Sequence, residues 1–306
     1  MKKALILAAL FVAAAAYAQT PGETHKARYE RQVRITGPAG VGVETILDRW
    51  EADCPDDPAM LEGRYRYCLN KALSTKVVPK DSGRWLGKEP VLTLKDSTGR
   101  DVNYFEENVF VDSLFARSQT AISRAISMEP SELAYRVDKI TALILYEKDS
   151  PELATGELLS MIDYHRTSHP SWTYYGEAVD EATFISTVQE YCYNLFTYAT
   201  PGSYEAFRKV SETMLKLFPK NTGFMGNMGS YYLACEQSPR KALKWYNKVL
   251  KINPKDYTAA KNCVVLARKE KNERLEKKYL PMLIAATDSE IERRGYEARL
   301  EALSKK

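Results

Sequence analysis

Two prolines separated by 35 residues constrain the fold of this chain more than any other feature. Pro219 and Pro254 each follow an amphipathic run and precede a new one, in the similar segments Leu217–Asn221 and Ile252–Asp256. Proline lacks an N–H group and clashes with the preceding turn, so it ends one helix and is tolerated at the start of the next. A fixed period of this size is typical of a solenoid. The chain from Asn221 onward therefore predicts repeated helical hairpins.

Each copy of the period has the pattern of two helices joined by a short polar turn, which is Glu236–Pro239 in the copy that starts at Asn221. The residues that carry the pattern in this copy are Asn227, Gly229, Tyr232, Ala242, Tyr246, Val249, Leu250 and Pro254. The matching residues are Asn262, Ala267, Leu275, Tyr279, Met282 and Leu283 in the following copy, and Asn194, Tyr204, Phe207, Met214, Leu215 and Pro219 in the preceding one.

This pattern resembles the tetratricopeptide repeat, a family of stacked helical hairpins of about 34 residues. The resemblance implies an all-α fold, a right-handed α-solenoid of such hairpins with a small β-hairpin insertion. We expect the repeats at 188–286 and a C-terminal capping helix at 287–306, because a solenoid needs a terminal element with a polar outer face. One departure is Pro281, which falls inside the last second helix and predicts a kink or a late start there.

The part of the chain before the repeats is less regular. We expect an N-terminal helical region at 19–83 and irregular helical hairpins at 109–187, because proline turns there separate apolar runs with helical spacing. Between them the period changes. Apolar and polar residues alternate along Pro90–Lys95, and a glycine-bearing loop separates this segment from Val102–Phe105. This pattern predicts a β-hairpin insertion at 84–108.

The first residues have the pattern of a secretory signal peptide. Met1–Lys3 is basic, Ala4–Ala16 is an unbroken apolar run, and small residues at Ala16 and Ala18 precede a cleavage position. The apolar run is too short to span a bilayer. We therefore expect residues 1–18 to be removed near Ala18. The mature protein is expected to be exported, to the periplasm or out of the cell, without membrane insertion.

The charge balance argues against one class of partner. Without Lys2 and Lys3, 42 basic side chains face 40 acidic ones. This balance leaves no basic footprint for nucleic acid. We expect no nucleic-acid partner.

The five cysteines of an exported chain allow disulfides. Cys192, Cys235 and Cys263 fall at positions of the repeat that pack inward, which favours buried thiols acting as small apolar groups. Cys54 and Cys68 flank a turn, and whether they form a disulfide is left open.

Few residues could carry catalysis. His165 and His169 are four residues apart near Asp163, a spacing that can place two imidazoles on one side of a helix as zinc ligands. The glutamate of His-Glu-x-x-His is missing, however, and Pro170 follows directly, which favours histidines at a helix end. The glycines of Thr36–Gly42 precede a helix, but no Gly-Lys-Ser/Thr follows. We expect no cofactor and no metal.

The resemblance implies a binding role, because tetratricopeptide arrays bind extended peptides or helices along a groove of first helices. At the matching positions that groove would present Tyr193, Thr197, Gly226, Ser230, Lys261, Val265 and Arg268. Lys261 is followed one turn later by Val265 and not by asparagine, so the carboxylate clamp of some family members is not supported. We expect a non-catalytic scaffold for a protein or peptide partner.

Two alternatives remain. The first is a periplasmic or surface accessory protein that binds glycan or cell wall, because tyrosine and tryptophan stack on sugar faces and tyrosine outnumbers phenylalanine 20 to 9. Its candidate residues are Trp172 and Tyr175. The second is a metal-dependent enzyme that uses His165 and His169. Glycan binding that is lost on mutation of Trp172, or metal in the purified protein, would distinguish them.

Overall fold

The computed structural model describes residues 20–305, and the chain divides into two compact units. Unit 1 comprises the chain up to Gly83 together with Pro90–Tyr146 and Ser171–Val179. Unit 2 comprises Arg84–Glu89, Glu147–Pro170 and the chain from Asp180 onward. The predicted signal peptide, residues 1–18, lies outside the described residues. No described helix has both the length and the apolar character that crossing a membrane requires.

Helices make up most of the described chain. Unit 1 contains α1 (Pro21–Thr36), α2 (Val43–Asp53), α3 (Pro58–Ala72), β1 (Leu73–Lys80), β2 (Leu92–Lys95), β3 (Asp101–Phe110), α4 (Asp112–Met128), α5 (Leu133–Glu147, whose last residue belongs to unit 2), β4 (Thr173–Tyr174) and β5 (Glu177–Ala178). Unit 2 contains α6 (Glu152–Ser168), α7 (Glu181–Tyr198), α8 (Pro201–Leu217), α9 (Thr222–Ala234), α10 (Pro239–Ile252), α11 (Tyr257–Lys269), α12 (Glu273–Ala286) and α13 (Glu290–Ser304).

Local signals set where the helices of unit 1 begin. α1 starts with a capping box, in which Thr20 and Glu23 each accept the backbone N–H of the other. α3 starts at Pro58, and the carboxylate of its N-cap Asp57 accepts a backbone N–H two residues further on. The other oxygen of Asp57 accepts the Trp50 indole N–H at 2.9 Å. One side chain therefore both starts α3 and ties it to α2.

The connection between α3 and α4 holds a three-stranded antiparallel sheet with the strand order β1–β3–β2. β1 pairs with β3 from Leu73↔Phe110 to Lys80↔Asn103, and β2 pairs with β3 from Leu92↔Tyr104 to Lys95↔Asp101. β2 and β3 are the predicted hairpin, which is confirmed. β1 was not predicted, and it places strand structure from Leu73 inside the region expected to be helical. The strand follows α3 without a turn and contains Pro79, which an edge strand tolerates.

Unit 2 stacks three helical hairpins, α7/α8, α9/α10 and α11/α12. The 35-residue period recurs in the N-caps of two first helices, because Asn221 caps α9 and Asp256 caps α11. In the middle hairpin Gly229 lets the ring of Tyr246 approach the first helix. A Cβ on Gly229 would lie only 2.5 Å from Tyr246 Cε1, and Tyr246 is fully buried. The predicted helical-hairpin repeat is confirmed.

Two of the recurring asparagines join neighbouring hairpins. Asn227 Nδ2 donates to Ser211 Oγ, and Asn262 Nδ2 donates to the Tyr246 hydroxyl, both at 3.2 Å. In each case the asparagine lies on a first helix, and its acceptor lies on the preceding second helix. Equivalent positions of successive copies therefore make equivalent bonds. The third asparagine, Asn194, is exposed.

Of the two outcomes expected at Pro281, the late start of the last second helix is wrong, and the kink stays a prediction. α12 runs from Glu273 through Pro281 to Ala286. Pro281 is exposed. The carbonyl that loses its N–H partner to the proline can therefore bond to water.

A buried carboxylate holds α13 at the end of the stack. Glu276 of α12 is 1 % exposed. It accepts the Arg268 Nε–H of α11 at 2.6 Å, and it accepts the Nε–H and an Nη–H of Arg299 on α13 at 3.0 and 2.8 Å. The hydrogen bonds from Arg299, joined by those from Arg268, hold the pKa of Glu276 below its usual value. One side chain thus ties three helices together.

A Glu276→Gln variant is expected to lose about 2 kcal/mol of unfolding free energy at this end of unit 2, because two guanidinium groups lose their carboxylate. Since the folded-state pKa of Glu276 is lowered, its stabilisation is present above the unfolded pKa and disappears as pH falls through the folded pKa. Denaturation in urea should therefore separate the variant from the wild type at about pH 7 and bring them together toward about pH 3. If the variant and the wild type were equally stable at about pH 7 as well as at about pH 3, this role of Glu276 would be contradicted.

The five cysteines, all within the described residues, are free thiols. Cys192 and Cys263 are buried, in agreement with their inward positions, and Cys235 is half-buried. Burial raises the pKa of the Cys192 and Cys263 thiols to about 12, so both stay protonated at neutral pH. Cys54 and Cys68 do not form a disulfide in this structure.

Candidate functional site

The seven residues predicted to line a groove all lie on first helices of unit 2. Tyr193 and Thr197 are on α7, Gly226 and Ser230 are on α9, and Lys261, Val265 and Arg268 are on α11. The side chains of Tyr193 and Val265 are 67 % and 48 % exposed. A Cβ on Gly226 would meet nothing within 4 Å. We call Tyr193, Gly226 and Val265 the first-helix face of unit 2.

Two of the other predicted residues are engaged with the scaffold. The Ser230 hydroxyl lies 3.2 Å from the Tyr246 hydroxyl. Arg268 forms the ion pair with Glu276. Both side chains therefore support the hairpins themselves.

The remaining two contact other elements of unit 2. Lys261 Nζ donates to the Tyr257 hydroxyl at 2.8 Å and lies 3.8 Å from a Glu292 oxygen on α13. The carbonyl of Thr197 lies against Gly87, where a Cβ would come within 2.5 Å of it. Whether any of the seven residues binds a partner stays a prediction.

Unit 1 contains a groove that the sequence analysis did not identify, formed by α1, α3 and α5. The Tyr65 hydroxyl of α3 donates to the Asp138 carbonyl of α5 at 2.8 Å. Gly63 of α3 allows Tyr29 of α1 to come close, because a Cβ there would lie 3.1 Å from Tyr29 Cζ. A cavity of about 660 Å³ in this groove includes Tyr29, Arg66 and Asp138 in its lining. We call this site the unit-1 groove.

Two acids share one arginine in the unit-1 groove. Arg66 forms an ion pair with Glu62 at 2.5 Å and donates to the Tyr175 hydroxyl at 3.0 Å. Burial raises the pKa of Asp138 to about 6, Arg66 opposes the increase, and Glu62 adds to it. Burial also raises the pKa of Glu62. Arg66 and, at Glu62, also Lys26 oppose these increases without cancelling them.

Tyr29 contributes a hydroxyl without a partner. Its side chain is 9 % exposed, and its oxygen accepts or donates no hydrogen bond among the described residues. Burial raises the pKa of Tyr29 to about 12, so the hydroxyl stays protonated at neutral pH. A buried polar atom without a partner costs roughly 1–3 kcal/mol of stability. Tyr29 is at the same time one of the residues that line the cavity.

A tight turn places Tyr175 at the unit-1 groove. Tyr175 and Gly176 have φ angles of 50° and 82°, as the two central residues of a type I′ turn between β4 and β5 require. The Glu132 carboxylate fixes this turn, because it accepts the N–H groups of Tyr175 and Gly176 at 2.7 and 3.2 Å and the Thr173 hydroxyl at 2.8 Å. The Arg66 guanidinium lies 5.6 Å from the centre of the Tyr175 ring.

The glycan alternative loses one of its two candidate residues. Trp172 is 3 % exposed, and the Arg136 guanidinium lies 5.7 Å from the centre of its ring. A ring covered in this way has no face for a sugar. Tyr175, which is 51 % exposed, is the remaining candidate residue of the glycan alternative.

His165 and His169 occupy different settings at the end of α6. The His165 ring stacks on Phe184 with 4.1 Å between ring centres, and burial lowers its pKa. His169 ends the helix in a left-handed conformation. Within residues 20–305, no group of three or more His, Cys, Asp or Glu side chains is arranged to hold a metal ion.

The sequence contains only a faint signal for the unit-1 groove. Glu62 and Arg66 are four residues apart on α3, a spacing that usually indicates a solvated surface pair. Tyr65 and Asp138, which hydrogen bonding brings together, are 73 residues apart in the chain. A single sequence has no local pattern that reports such a contact.

Comparison with known proteins gives a likeness at the level of structure only. No protein-family profile matches the chain, and no curated protein matches it. The structure of Pseudomonas aeruginosa pilF shares 15 % identity over 62 % of this chain and 77 % of that one, with a TM-score of 0.40. The flexible tandem repeat domain of a bacterial cellulose synthase component shares 12 % identity over 94 % of this chain and 99 % of that one, with a TM-score of 0.29.

A third likeness is to the human IFIT1 dimer solved with m7Gppp-AAAA, at 11 % identity over 88 % of this chain, with a TM-score of 0.33. The chain spans about half of that protein, 51 % of its length. Scores this low carry no inference about function. The helical hairpins, their 35-residue period and the small sheet themselves show a helical-repeat protein with tetratricopeptide-like hairpins and a β insertion.

Proposed function

We propose that this chain is an exported, non-catalytic repeat scaffold that holds a segment of another polypeptide against the first-helix face of unit 2. The observation that carries the proposal is the exposure of Tyr193 and Val265 on either side of Gly226, on three successive first helices. Gly226 presents no side chain and has open space at its Cβ position. A helix or an extended segment can lie over such a surface, with the tyrosine and the valine as its apolar anchors.

Export is supported by the pattern of Met1–Ala18, a basic start followed by an apolar run and a small-residue cleavage position. Fractionation of the native cell, followed by N-terminal sequencing, tests it. The expected result is a chain that begins near Gln19 outside the cytoplasm. A full-length chain in the cytoplasm would contradict export.

Site-specific photo-cross-linking in the native cell tests the binding face. A benzophenone amino acid in place of Tyr193 or Val265 is expected to capture a discrete polypeptide, because both side chains are exposed on first helices. The matched control is the same amino acid at Lys244, an exposed position on the second helix α10.

A Gly226→Arg variant adds a second test, because the open space at Gly226 lets a long side chain cover the face without disturbing the fold. This substitution is expected to reduce capture from Tyr193 and Val265 by about tenfold. Equal capture at Lys244, or no capture at either first-helix position, would overturn the proposal.

A further inference from the structure

We propose that the unit-1 groove binds the guanidinium or ammonium group of an arginine or lysine side chain on a partner polypeptide, with Asp138 as the counter-charge. This site uses residues of α1, α3 and α5 and does not depend on the first-helix face of unit 2. It has three parts: an acid without a full partner, an apolar wall, and a hydroxyl that lacks a bond.

The acid is the first part. Arg66 is already engaged by Glu62 and by the Tyr175 hydroxyl. No hydrogen bond to the Asp138 carboxylate is present among the described residues, although this carboxylate is half-buried. A cation that enters the groove can pair with this partly desolvated carboxylate.

The wall is the second part. Val33 of α1, Leu69 of α3 and Leu145 of α5 line the cavity near Asp138. Arginine and lysine carry a charged head on an apolar stem, so they match a cavity with apolar walls and an acid. A cavity of about 660 Å³ has room for one such side chain and part of its backbone.

The hydroxyl is the third part and an independent observation. Tyr29 lines the cavity of about 660 Å³ and also a smaller one beside Glu62, and its buried oxygen lacks a hydrogen-bond partner among the described residues. The oxygen of a protonated phenol accepts hydrogen bonds, and guanidinium and ammonium groups can only donate them. The tyrosine ring also favours a cation close to its face.

Arg34 of α1 is an exposed cation that lines this cavity and could compete for the site, whereas Lys26 lines the smaller cavity beside Glu62. An Arg34→Ala variant therefore tests whether the bound group is positively or negatively charged. A cationic ligand is expected to bind equally well or more tightly after the change. Weaker binding would show that Arg34 attracts an anion, and it would overturn the proposal.

The direct test is calorimetric titration of the full mature chain with capped peptides that are identical except for one arginine, lysine or norleucine. Arginine and lysine peptides are expected to bind at least about tenfold more tightly than the norleucine peptide. Asp138→Asn should remove that preference, while Asp101→Asn, which changes an exposed acid on β3, should leave it intact. Equal binding of the norleucine peptide, or an intact preference in Asp138→Asn, would overturn the proposal. Arginine amide that binds as tightly as the arginine peptide would overturn its polypeptide part.

The pH dependence provides a second readout. The charged groups around the two cavities are Glu62, Arg66 and Asp138 itself, together with Lys26, Glu30 and Arg34 on α1, and the Tyr175 hydroxyl lies nearby. Because burial raises the pKa of Asp138 to about 6, binding is expected to weaken below that pH, toward about tenfold per unit. Asp138→Asn should abolish this dependence. The same dependence in the variant would overturn the role of Asp138.

Discussion

A Gly229→Val variant is expected to lose about 3 kcal/mol of unfolding free energy in the middle hairpin of unit 2, from overpacking and from the lower helix propensity of valine. A Cβ at this position would lie 2.5 and 2.8 Å from two ring carbons of Tyr246. Tyr246 cannot move aside, because its ring is fully buried and its hydroxyl bonds to Asn262. Native-state hydrogen exchange followed by mass spectrometry measures the loss in the peptides of α9 and α10.

The matched control lies three residues earlier on the same helix. A Cβ on Gly226 would meet nothing within 4 Å, so Gly226→Ala is expected to be neutral or to stabilise α9 by up to about 1 kcal/mol. Gly229→Ala should instead lower the stability of α9. If both alanine variants protected α9 equally well, the close approach of Tyr246 would be refuted.

The second large effect is expected in unit 1, where Trp50→Ala should lower the unfolding free energy by about 4 kcal/mol. Trp50 is fully buried, with the His25 and Tyr29 rings 6.3 and 6.0 Å from its own. Its indole N–H also bonds to Asp57, the N-cap of α3. Removal of the ring therefore leaves a cavity and weakens the start of α3. Hydrogen exchange in the peptides of α1 and α3 measures the change.

Trp50→Phe separates the two contributions. It retains most of the apolar ring and removes only the hydrogen bond to Asp57, so about 1–2 kcal/mol is the expected loss. Exchange should then increase mainly at the start of α3. A loss as large as that of Trp50→Ala would assign the stabilisation to the hydrogen bond alone, against the packing argument.

The parts of the fold that the sequence predicted are those with local chemical signals. Asn221 and Asp256 cap first helices one period apart, and Gly229 accommodates Tyr246 within a single hairpin. Each of these contacts involves residues fewer than about 20 positions apart, so a repeated pattern in one sequence can reveal them. The hairpins of unit 2 could therefore be assigned from residues alone.

The parts that the sequence missed depend on contacts between distant segments. β1 is recognisable only through its pairing with β3, because its own residues do not alternate clearly. Tyr29 and Asp138 enter one cavity only after α1, α3 and α5 have packed. At Pro281 the expected late start is wrong, because an exposed proline inside a packed helix does not prevent the helix from beginning earlier.

The register of the small sheet has a consequence for how this chain is built. Leu73 and Phe110, which lie at the two ends of the segment between α3 and α4, are directly paired across β1 and β3. Paired residues on antiparallel strands lie roughly 5 Å apart. The chain therefore enters and leaves this segment at adjacent points. The sheet is also tied to the helices, because Phe110 of β3 packs against Phe115 of α4 and Tyr146 of α5. A change that separated β1 from β3 would therefore disturb the start of α4 as well as the sheet.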